Sequence, residues 1–191
     1  MNEFVYHPSG KYLFVATGQG RVEIFKMPEL ELVRTVAAHS GQSNCVALAV
    51  SPDGKRVAVG ASDALCFIWS IHETICERNL GRLDYHVRAV AFTYDSQLIA
   101  TGSEDHCIDI AYVNDGSRVH EIRLEGEVYS AAWHPQQLIL ALHPRVILVN
   151  ETVSVYDYLA TPVESDLRNK NAHIHCCAYM ETFRNDSKYP N

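Results

Sequence analysis

Positive charge is scarce in this 191-residue chain: 16 Lys and Arg stand against 23 Asp and Glu, a formal net charge of −7. Nonspecific nucleic-acid binding rests on a basic surface, so this balance excludes it as the main activity. Long apolar runs are missing too; none reaches the roughly 18 residues of a bilayer-spanning helix. The opening MNEFVYHPSG lacks the apolar core of a secretory leader. The six cysteines, at 45, 66, 76, 107, 176 and 177, form no C-x-x-C pair. Four of them lie in apolar, strand-like runs, where a free thiol behaves as a small hydrophobe. The expectation is a soluble intracellular protein with reduced thiols. Neither G-x-S-x-G, nor H-E-x-x-H, nor a phosphate-cradling glycine loop occurs, so no enzyme, cofactor or small-molecule substrate is expected. ATGQGR, residues 16 to 21, is a glycine-containing hairpin turn.

What the chain has is repetition. Pro8, Pro52, Tyr94 and Pro135 occupy equivalent places, with spacings of 44, 42 and 41 residues. That period belongs to units of four short strands arranged as propeller blades. Four and two residues before each anchor stand Phe4 and Tyr6, Leu48 and Val50, Val90 and Phe92, Ala131 and Trp133. This alternation marks a half-buried strand. Five residues after the anchor, Leu13, Val57, Ile99 and Leu140 open a second strand, with turn residues between the two.

A third register follows in GASDALCFIWS, residues 60 to 70, where Asp63 precedes Trp69 by six. The same spacing relates Asp105 to Ala111 and Gln19 to Phe25; in the fourth unit it places Asn150 before Tyr156, with about four residues added to the preceding hairpin. A carboxylate in a tight turn accepts backbone N–H bonds and holds the hairpin, and the Trp fills the third strand. Because the pair recurs, its role is structural rather than catalytic.

With Ala38-His39 in place of Gly-His and WS in place of Trp-Asp, the units resemble WD40 repeats. The resemblance implies an all-β propeller and a hydrogen-bonded His–Asp–Trp set inside a blade, here His39, Asp63 and Trp69, with Asp105 carrying the turn of the third unit. FVYHPSGKYLF, RLDYHVRAVAF and SEDHCIDIA further resemble the WD40 subunits of THO assemblies, which act in nuclear mRNA processing and export. That implies other subunits of the THO/export complex as partners, nuclear localisation, indirect or weak RNA contact, and no membrane. At about 43 residues per unit, the chain supplies roughly four blades of a ring that the resemblance puts at about seven. It reads as the C-terminal half of a longer propeller, with repeats over 1–158 and an irregular or disordered tail over 159–191.

Within this frame, the loop RLDYHVR is the expected partner-binding rim, through Arg82, Tyr85, His86 and Arg88, residue types suited to interfaces. A basic patch of Lys11, Lys55, Arg56, Arg82 and Arg88 reads as solvated surface charge, because stacking aromatics are not interleaved with it. HIHCC, residues 173 to 177, lacks zinc-ligand spacing, so no metal is expected. The alternative is a generic WD40 adaptor such as a ubiquitin-ligase substrate receptor. Against that role, WSIH and AYVN lack the Asp and Arg of the Trp-Asp-x-Arg box.

Overall fold

A computed structural model describes residues 2–124 and 128–133, and the backbone of 139–142, 146–148 and 154–156. The chain forms four antiparallel meanders. The first contains β1 (Glu3–Tyr6), β2 (Tyr12–Ala16), β3 (Arg21–Lys26) and β4 (Glu31–Ala37). The second contains β5 (Cys45–Val50), β6 (Arg56–Ala61), β7 (Cys66–Ser70) and β8 (Cys76–Asn79). In the third are β9 (Val87–Phe92), β10 (Leu98–Ser103), β11 (Cys107–Tyr112) and β12 (Arg118–Arg123). Last come β13 (Ala131–Trp133), β14 (Ile139–Leu142), β15 (Val146–Leu148) and β16 (Ser154–Tyr156). First strands touch one another, β1 on β5, β5 on β9 and β9 on β13, whereas β4 is exposed along most of its length. First strands therefore lie innermost and fourth strands outermost: a partial propeller of four blades.

Alternation along each strand explains how the blades stack. In β6, Val57 and Val59 join Phe14, Ala16 and Val22 of the first blade. Their neighbour Ala58 faces the other way, into a core with Val87, Ile99 and Cys107 of the third blade. In β10, Ile99 turns back toward the second blade, while Leu98 and Ala100 pack with Trp133 of the fourth. The second and third sheets are thus apolar on both faces, and the cores lie between blades. Gly60 and Gly102, equivalent in register, let neighbours approach. A Cβ at either would lie 2.6 Å from Val87 Cγ1 or 2.4 Å from Val128 Cγ1.

Each of the first three blades carries three left-handed turn residues at the same register. They are Gly10, Gly54 and Ser96 in the first hairpins, Gly20, Ala64 and His106 in the second, and Leu30, Thr74 and Gly116 in the third. Non-glycine residues there cost of order 1 kcal/mol, and side-chain acceptors offset it. Asp53, Asp63, Asp95, Asp105 and Asp115 each bond the backbone N–H two residues on, at 3.0, 3.2, 3.0, 2.9 and 2.8 Å.

In the fourth blade the sequence expectation fails. Val57 pairs with Trp69 and Ile99 with Ala111, and the corresponding Leu140 pairs with Ile147. The Trp position is therefore Ile147, and Tyr156 belongs to the fourth strand, β16. The hairpin has been shortened rather than lengthened, which a spacing count anchored on an aromatic cannot reveal. Asn150 and the stretch 159–191, with its HIHCC, lie outside the described residues.

Candidate functional site

In the second blade, the loop between β4 and β5 delivers His39 to the β6–β7 turn. His39 Nδ1 lies 3.0 Å from Asp63 Oδ2, and Nε2 lies 3.0 Å from the Val59 carbonyl. The ring packs on Phe67 with centroids 4.6 Å apart. Burial opposes charge on Asp63, but hydrogen bonds from His39 and Ser43 hold its carboxyl below the ordinary 3.8. Trp69 does not join this set. Its Nε1 is buried without a hydrogen-bond partner among the described residues, because the Val59 carbonyl takes the far side of His39. The three-membered set implied by the family therefore closes only between His39 and Asp63.

The third blade solves the same turn differently. Asp105 Oδ2 accepts the backbone N–H of Asp84 at 3.0 Å, where the second blade uses a histidine ring. Asp109, in register with Phe67, is 1% exposed and faces the second blade. Arg82 Nη1 donates to its Oδ2 at 3.1 Å, Arg118 Nε donates to Oδ1, and Arg118 also pairs with Glu121. A buried carboxylate is tolerable only with such partners. Nothing in the sequence places two arginines around it, one from the loop between β8 and β9 and one from the start of β12.

This geometry sorts the rim loop. Arg82 is committed to Asp109 and to the Gly116 carbonyl. Arg88 Nε donates to Glu104 Oε1 at 2.5 Å, and His86 Nδ1 stands 3.3 Å from Glu104 Oε2. Tyr85 is 60% exposed, with its own carbonyl bonded by Ser103 Oγ at 3.0 Å. The loop presents an exposed aromatic ring beside Arg88 and His86, both gathered on the Glu104 carboxylate. Of the remaining basic residues, Arg56 is paired with Glu77 at 2.7 Å and Lys55 lies 3.9 Å from Asp53, so their charge is largely answered locally.

The described buried thiols are held away from the nucleophilic form. Burial pushes the Cys45 and Cys66 thiols up to about 12 and Cys107 to about 11, away from the reactive thiolate. Among the described residues, no group of three His, Cys, Asp or Glu is placed to hold a metal ion. Among the described residues Glu3 is the one strongly perturbed carboxyl: burial raises it to about 7, although the Leu48 N–H, 2.6 Å away on the neighbouring blade, works against the shift.

The comparisons agree with this architecture. The family model for the WD domain, G-beta repeat, matches residues 30–70 and 77–110. THO complex subunit 3 of Arabidopsis thaliana is 36% identical over 141 residues, 74% of this chain and 44% of the relative. Set1 complex component swd1 of Schizosaccharomyces pombe is 24% identical over 161 residues, 78% of this chain and 40% of the relative. The chain thus spans less than half the length of these relatives. Among solved structures, one titled Structure of U3-55K superposes with a TM-score of 0.70 at 17% identity, covering 80% of this chain and 50% of that one, a likeness of fold.

Proposed function

The chain is a WD40-repeat protein, and from that premise we propose that it is a noncatalytic scaffold subunit of a THO-type assembly. It acts in nuclear mRNP assembly and mRNA export through protein–protein contacts. One observation carries the reading: 36% identity to THO complex subunit 3 over 141 residues, well above the 24% shared with a WD40 subunit of a different complex. A repeat surface with committed buried charges and unreactive thiols is suited to binding rather than to chemistry. The rim loop is the proposed contact, with Tyr85 as its exposed anchor and His86 and Arg88 beside it; Arg82 supports the loop from beneath through Asp109.

The test is affinity purification of the tagged full chain from nuclear extract, with Tyr85→Ala and Arg88→Glu in parallel. The parent is expected to recover other THO subunits, the variants to recover less at unchanged urea midpoint, and depletion to retain polyadenylated RNA in the nucleus. Failure to recover any THO subunit would leave a generic WD40 adaptor.

A further inference from the structure

Away from the rim loop, a groove of about 360 Å³ opens between the outer strands of the first blade and the β7–β8 turn of the second. Tyr12, Val33 and Ile71 line it with apolar surface, and Lys26, Arg34 and His72 stand around them. Tyr12 and Val33 remain 37% and 46% exposed. Arg56, Arg82, Arg88, Arg118 and Arg123 each pair with a carboxylate. Lys26 and Arg34 pair with none among the described residues. Lys11, Arg21 and Arg78 also lack a carboxylate partner among the described residues, but this groove sets two such cations beside exposed apolar surface. Lys26 lies opposite Glu31 in the β3–β4 register without an ion pair, and Arg34 donates only to the Thr74 hydroxyl. Of the carboxylates flanking the adjoining cleft, Glu77 is already held by Arg56, and Glu73 forms no ion pair among the described residues.

We propose that this groove binds a short acidic peptide segment of a partner protein, with carboxylates on Lys26 and Arg34 and an apolar side chain against Val33 and Ile71. Two cations without an ion pair, on a protein of net charge −7, offer charge complementarity to an acidic segment, which steers and orients a partner. Val33 and Ile71 give a peptide side chain an aliphatic anchor beside Tyr12, and the net charge of −7 disfavours a nucleic-acid strand, whose phosphates run on past two cations. The site is separate from the rim loop, so either reading can fail without the other.

A randomised peptide library alternating acidic with apolar residues is panned on the full chain and on Lys26→Glu/Arg34→Glu. Arg21→Glu serves as a surface control, and a urea midpoint is measured for each. Peptides enriched on the parent are expected to bind the double variant at least tenfold more weakly, an effect of about 1.4 kcal/mol or more. They should bind Arg21→Glu as they bind the parent, and weaken as salt rises. No enrichment, or equal binding to the double variant, would overturn the proposal. So would binding of a ten-nucleotide oligouridylate that Lys26→Glu/Arg34→Glu abolishes while the peptides show no preference.

Discussion

The junction between the first and second blades and that between the second and third are built on one register with opposite chemistry. In the first, Phe67 and Trp69 on β7 project toward the neighbouring blade, and Trp69 packs with Phe14, Val57 and Val59. In the second, the same positions are Asp109 and Ala111, and the large ring is replaced by a small residue and a buried carboxylate under two arginines. Both junctions close. The blade register is therefore set by the strand ladder and turns, and what fills the space between blades is a separate decision, met here once by apolar volume and once by paired charge.

The largest expected effect lies in the charged junction. Arg82→Met/Arg118→Met leaves Asp109 buried without a cation and is expected to cost about 3–5 kcal/mol in urea denaturation. Adding Asp109→Leu should restore most of that loss, since an apolar triad can replace a buried ionic one. If the double arginine variant unfolds at the parent midpoint, the triad is not what holds this junction.

In the apolar junction, Trp69→Ala should cost about 3 kcal/mol, the lower end for tryptophan because the ring is only partly buried. Trp69→Phe should cost under about 1 kcal/mol, because the lost N–H had no partner. A large penalty for phenylalanine would mean that the indole N–H is bonded after all.

His39→Ala removes the bonds to Asp63 and Val59 and the packing on Phe67, and is expected to cost about 2 kcal/mol. Its pH signature comes from Asp63. The folded-state carboxyl lies below 3.8, so its stabilisation is present above that value and is lost as pH falls through the lower folded one. In His39→Ala this acid sensitivity should shrink; an unchanged acid limb in a pH series of urea midpoints would count against the pair.

The smallest effect sits at the inner edge of the first junction. Glu3 is raised from 4.5 to about 7, so between these values the folded state binds the extra proton and stability falls as pH rises. Glu3→Gln should remove that slope and gain about 1 kcal/mol at pH 8, a discounted figure because the side chain is partly solvated. Identical pH profiles for parent and variant would exclude Glu3 as the source.

Much of the fold is legible without coordinates because it is periodic. The anchors Pro8, Pro52 and Tyr94 all precede a left-handed residue by two, at Gly10, Gly54 and Ser96. The Asp63 and Asp105 turns are likewise local, two residues from donor to acceptor. The fourth blade is not legible in this way, because the period itself shifts: with no Asp–Trp pair to fix the third strand, spacing points to Tyr156, and only strand pairing assigns Ile147. In the rim loop the residue types pointed to an interface, but nothing in RLDYHVR tells that Arg82 turns inward to Asp109 while Tyr85 stays in solvent.

By itself, then, the sequence determined the period, the two-faced apolar strands and the turn chemistry, since these rest on contacts between residues close along the chain. The tertiary structure alone decided which charges neutralise one another and which remain for a partner. Arg82 and Asp109 are 27 residues apart, Trp69 loses its expected partner to a carbonyl ten residues upstream, and Lys26 and Arg34 meet His72 only where two blades converge. Coulomb and hydrogen-bond energies depend on separation in space and on burial, and neither is encoded by distance along the chain.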